Sequence, residues 1–101
     1  MPQECFHDEA KRLRDLAKNP RLSLKITKHA REEMDKDNIK VLSILSMLKR
    51  CKVVRVEQNR FEETWNAEGS DIDGNPMTVV VVAYEDRIKI KVITAWARSH
   101  K

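Results

Sequence analysis

From Lys52 onward the pattern of apolar side chains changes to a period of two, a spacing that suits strands. Four strands are predicted: Val53–Gln58, Phe61–Ala67, Met77–Tyr84 and Ile88–Trp96. Asn59-Arg60 and Glu85-Asp86-Arg87 are short enough for hairpin connections. Gly69–Pro76 reads as a longer turn, rich in residues that tolerate positive φ. Four strands joined in this way predict an antiparallel meander.

The last strand fixes which face is buried. Ile88, Ile90 and Val92 share one face, while Lys89 and Lys91 share the other. Burying an unpaired lysine costs roughly 3 kcal/mol or more. Exposing the branched residues forgoes roughly 1.5–3 kcal/mol each. The apolar face is therefore expected inward and the lysines outward. The same alternation puts Val54 and Val56 inward with Arg55 outward. It puts Phe61 and Trp65 inward, with Glu62, Thr64 and Asn66 outward. Thr94 shares the parity of Ile88, but strand ends twist and its side stays open.

The first half is helical. Phe6, Ala10, Leu13 and Ala17 fall at i, i+4, i+7 and i+11 and predict an amphipathic helix over residues 3–18, stopped by Asn19-Pro20. Leu22, Leu24 and Ile26 alternate as a short strand. Thr27 suits the N-cap of a helix running to Lys36, with Ala30 and Met34 on its apolar side. Asn38 suits the cap of a third helix, Ile39 to Arg50, buried through Val41, Ile44, Leu45 and Leu48. The fold class is α+β: N-terminal helices on one face of a four- to five-stranded antiparallel sheet. At 101 residues the expectation is one domain, residues 1–101, with 1–21 as a helical extension of a 22–101 core.

Charge and cysteines narrow the chemistry. The net charge is +4, and it is uneven. Residues 1–60 carry 15 basic and 9 acidic side chains, the remainder 5 and 7. A basic first half suits a polyanion such as RNA or DNA, an acidic protein partner, or simply a solvated helix surface. Cys5 and Cys51 form neither a disulfide framework nor a Cys-x-x-Cys pair. With no secretory signal and no membrane-length apolar run, the expected location is the cytoplasm. No metal cluster, Gly-rich phosphate loop or Ser/His/Asp arrangement is present in the sequence, so no cofactor is expected. Asp71-Ile72-Asp73-Gly74 lacks the further ligands of a calcium loop and reads as a turn.

His29 is the first candidate for chemistry. Metal-free RNA cleavage needs a base for the 2′-OH proton and an acid for the leaving oxygen, and imidazole titrates in the right range. The plainer reading is a histidine that satisfies a turn. Arg55, Lys89 and Lys91 on one open face suit phosphate binding and transition-state charge, or simply solubility. Trp96 suits either base stacking or capping of the core.

The segment Ile26-Thr27-Lys28-His29-Ala30, with Met34, Asn38-Ile39, Gly74 ahead of Thr78–Val82, and Ile88–Thr94, resembles a family of small bacterial domains related to the RelE/ParE toxin superfamily and its barnase-like ribonuclease cousins. The resemblance spans about residues 22–96. It implies a RelE/barnase-like fold and a metal-independent ribonuclease of a toxin–antitoxin system. His29 would be the acid/base, with Arg31 and Arg55 as the other catalytic residues. Lys89, Lys91, Thr94 and Trp96 would bind substrate. RNA and an acidic antitoxin protein would be the partners. One position departs: Glu33 stands where the family commonly has Arg, and this favours the alternative, a non-catalytic module that binds nucleic acid or protein with the same basic face.

Overall fold

A computed structural model of the chain describes residues 6–98. The expected helix start at residue 3, Cys5 and His100 lie outside them. The elements run α1 (His7–Lys18), β1 (Ser23–Ile26), α2 (Lys28–Lys36), α3 (Val41–Leu48), β2 (Lys52–Gln58), β3 (Glu63–Ser70), β4 (Pro76–Tyr84), a 3-10 turn (Glu85–Arg87) and β5 (Lys89–Ala97). The class is α+β, as the periodicities require.

The five strands form one sheet in the order β1-β5-β4-β3-β2. The meander β2 to β5 is antiparallel, but β1 pairs parallel with β5, Ser23 opposite Lys89 and Ile26 opposite Val92. The sheet is therefore mixed rather than wholly antiparallel. No hairpin turn joins β1 to β5, so nothing local forces antiparallel pairing. The chain leaves β1 through α2 and α3 and returns only after crossing the whole meander.

The core lies between the helices and one sheet face. Leu13, Ile44, Met47, Leu48, Val53, Val79, Val81, Ile90 and Val92 are all fully buried. The first helix contributes to this core. Ala10, Leu13, Leu16 and Ala17 are buried in it, and Arg14 Nη1 donates to the Cys51 carbonyl at 2.9 Å.

Two bulges reset the alternation read from the sequence. On β2, Val53 pairs with Ala67 but Arg55 with Asn66, so Val54 is the extra residue. Val53, not Val54, is buried beside the core, and Val56 packs against it. On β5, Val92 pairs with Val81 and Thr94 with Val80, leaving Ile93 extra. That extra residue turns Thr94 away from the face of Ile88, onto the face shared with Lys89 and Lys91.

Three local expectations change for equally local reasons. Asn38 does not cap α3. It adopts φ +55° just past α2, with Ile39 N–H bonded to Met34 O at 2.8 Å and Asn38 N–H to Asp35 O at 3.3 Å. This Schellman arrangement ends α2, and α3 starts at Val41. Gly69 lies in β3, not in the turn. A Cβ there would meet Met47 Cγ at 3.3 Å and Cys51 Cα at 3.4 Å, so glycine lets the end of α3 approach the strand. Phe61 is 87% exposed rather than inward. The Asn59 side chain accepts from Phe61 N–H (3.1 Å) and Glu62 N–H (2.9 Å), which holds the chain in a turn until β3 begins.

Candidate functional site

The open face of the sheet carries a basic cluster at the end where β4 turns into β5. Tyr84 and Lys89 flank that turn as a cross-strand pair. Arg87, Lys89 and Lys91 place their cationic groups 5.8, 5.5 and 5.9 Å from the centre of the Tyr84 ring. Glu62 closes the group. Its Oε2 accepts from Tyr84 Oη at 2.7 Å and from Lys91 Nζ at 2.8 Å. The hydrogen bond from Lys91, reinforced by that from Tyr84, holds the Glu62 carboxyl below its ordinary range. The same bond to Glu62 raises the Lys91 ammonium above its own.

Lys25 adds a further charge, because β1 and β5 place it beside Lys91 across the parallel pair. Adjacent strands lie about 4.8 Å apart, so these like charges repel unless an anion lies between them. Glu62 engages Lys91. Among the described residues no carboxylate lies within ion-pair distance of Lys25, Arg87 or Lys89. The cluster thus keeps three cations whose charge is unmatched.

The turn that presents Arg87 is held from both sides. Ile88 sits at φ +51°, ψ +56°, a left-handed conformation that costs a β-branched residue roughly 1–2 kcal/mol. Its side chain packs against the core, which offsets that strain. On the helix side, Arg12 of α1 grips Glu85 through Nη2 to Oε1 (2.6 Å) and Nε to Oε2 (3.1 Å), and its guanidinium lies 5.2 Å from the Trp65 ring centre. The Arg12 bond holds the Glu85 carboxyl below its ordinary range.

The residues singled out from the sequence fall into three places. Lys89, Lys91, Thr94 and Trp96 share the open face of β5, with Trp96 opposite Thr78 and still 39% exposed, so it does not cap the core. His29 and Arg31 lie on α2, both exposed. At 100° per residue they project from opposite flanks of the helix, either side of buried Ala30. Among the described residues the His29 side chain makes no hydrogen bond. Its helix is nonetheless fastened to β5: Thr27 N–H donates to Val92 O at 3.1 Å, and Thr27 Oγ1 donates to Ile93 O at 3.1 Å while accepting from Ala30 N–H. Arg55 is on the far edge strand, three strand spacings or about 14 Å from β5, and is paired with Glu57 at 2.7 Å. The structure therefore gathers the β5 residues and does not gather His29, Arg31 and Arg55 into one centre.

Sequence reading missed Tyr84, Glu62, Arg87 and Lys25. Val79 to Ala83 is a continuous apolar run, so the two faces of β4 could not be told apart by pattern. The usable signal was the hairpin itself, which forces Tyr84 onto the same face as Lys89.

Other groups suited to chemistry are committed elsewhere. Burial pushes the Cys51 thiol up to about 11, so it stays protonated and poorly nucleophilic at neutral pH. Asp71 is buried at the β3–β4 turn and accepts from Asn75 N–H and Asp73 N–H, both at 2.9 Å. A cavity of about 290 Å³ opens beside it, lined by Asp37, Asn38, Ser43, Asn75 and Met77 among others. No group of three or more potential metal ligands occurs among the described residues. No helix among them is long and apolar enough to cross a membrane.

No curated protein and no solved structure matches the chain. A family model described as a domain of unknown function, DUF4258, matches residues 26–97, from the end of β1 to the end of β5, and the chain belongs to that family.

Proposed function

We propose that this chain is an RNA-binding domain of the RelE/ParE toxin type, and that the open face of its sheet is the RNA-contacting surface. The observation that carries this reading is the cluster of Arg87, Lys89 and Lys91 around Tyr84, joined by Lys25 and answered by one carboxylate. Phosphate oxygens are the natural counter-charge for such a surface. Thr94 and Trp96, farther along β5 on the same face, supply a hydroxyl and an aromatic ring for sugar and base. The test is binding of a labelled RNA by wild type and Lys89→Glu. Wild type binds with an affinity that falls steeply with salt, and the variant loses most of it. An affinity that stays flat with salt would point to a protein partner instead and sink the RNA reading.

A second reading, metal-independent cleavage of the bound RNA, is favoured by His29. It is an exposed imidazole in the first turn of a helix tied to β5 at Val92 and Ile93. Proton transfer by this group is the chemistry such a site would use. Incubating RNA with wild type and His29→Ala in the presence of a chelator decides it. Cleavage by wild type that is lost in the variant supports catalysis. Intact RNA with both leaves the domain a binding module.

A further inference from the structure

Phe61 is the most exposed large apolar side chain among the described residues, and it neither joins the core nor packs against it. A single exposed phenylalanine is unremarkable in itself. This one differs in how it is held and in what lies beside it. The Asn59 carboxamide oxygen accepts from the N–H groups of Phe61 and Glu62, and Asn59 N–H returns a bond to Glu62 O at 3.0 Å. The turn is closed on itself, so the ring is presented from a fixed backbone and loses little entropy on binding. The next residue, about 3.8 Å away along the chain, is Glu62, whose carboxylate touches both Tyr84 and Lys91. Arg60 precedes it and is also exposed. The exposed Phe61 thus directly precedes, in the chain, the residue that engages the basic cluster.

Alternating stacking rings and backbone cations suit a single strand, whose unpaired bases offer their π-faces. A duplex hides those faces, and its phosphates alone would engage the lysines. We propose that Phe61 is a stacking platform for an unpaired base, and that the flanking phosphates lie on Arg87 and Lys89. The domain then prefers single-stranded over double-stranded RNA. This rests on the RNA-binding reading and specifies the form of RNA that the open face takes.

The experiment measures affinity for a short unstructured RNA oligonucleotide and for an RNA duplex, using wild type, Phe61→Ala, Phe61→Trp and Phe61→Leu. Phe61→Ala is expected to weaken single-strand binding roughly 5- to 150-fold, the range of one base–aromatic stack, while duplex binding stays within about twofold. Phe61→Trp restores the preference and Phe61→Leu does not. Single-strand affinity unchanged in Phe61→Ala, equal losses on both RNAs, or full rescue by leucine each overturn the platform while leaving RNA binding intact. Wild type that binds neither RNA removes the underlying reading and the platform with it. Unfolding midpoints of the four proteins should coincide, because the side chain touches no core residue.

Discussion

Replacing Glu62 by Gln isolates the electrostatics of the open face with little change of shape. The amide keeps an oxygen for Tyr84 Oη and Lys91 Nζ but removes the charge that occupies Lys91. In wild type three cations of the cluster are unmatched, Lys25, Arg87 and Lys89; in the variant there are four. For single-stranded nucleic acid the slope of log affinity against log salt is about −0.7 per phosphate neutralised. Wild type is therefore expected near −2.1 and Glu62→Gln near −2.8. Between 50 and 200 mM salt that means a loss of about 18-fold for wild type and about 50-fold for the variant. The variant also binds more tightly at the low-salt end. Anisotropy titrations of a labelled RNA at four or five salt concentrations give both slopes. The fold is barely affected, since an ion pair this close to solvent contributes roughly 0–1 kcal/mol, which urea denaturation checks. A slope unchanged or shallower in Glu62→Gln would refute the reasoning, because it would mean that Lys91 does not meet phosphate.

Two further outcomes follow from the scaffold. Thr27→Ala loses both the cap of α2 and the tie to Ile93, and is expected to lower stability by about 1–2 kcal/mol in urea, with Thr27→Ser close to wild type. The bonds from Asn75, then that from Asp73, hold the Asp71 carboxyl below its ordinary value, so its stabilisation is complete above the usual carboxylate range near pH 4 and is lost as pH falls through that range towards the lower folded value. Asp71→Asn, having no such proton to take up, should show a flatter loss of thermal stability below about pH 4, and identical acid profiles for the two proteins would contradict this.

Much of the fold was legible because period and punctuation are strong signals here. Thr27 caps α2, Ala30 and Met34 are buried, and Ile90 and Val92 lie beneath the helices with Lys89 and Lys91 on the opposite face. What pattern alone does not carry is the extra residue. The bulges at Val54 and Ile93 each shift the parity of everything beyond them, which is why Val53 replaces Val54 in the core and Thr94 joins the lysines. Nor does alternation carry strand direction, so the parallel pairing of β1 came only from the three-dimensional arrangement. The candidate site was half visible. The lysines of β5 stood out by alternation, whereas Tyr84 and Glu62 meet them through pairings between strands. His29 and Arg31 look adjacent in sequence, but two residues along a helix turn them to opposite flanks.

The parallel pairing of β1 with β5 also bears on the order of folding. Each meander hairpin closes a few residues, while Ser23 must find Lys89 across 66 positions. Closing a loop of that length costs roughly 2–3 kcal/mol more entropy than closing a hairpin turn. The meander is thus expected to form first and the β1–α2 limb to dock last, completing Lys25 beside Lys91 only in that final step. A partly folded chain would already display Tyr84 and the β5 lysines, yet would lack the strand that seals the β5 edge. Until β1 arrives, that edge is open to pairing with another molecule.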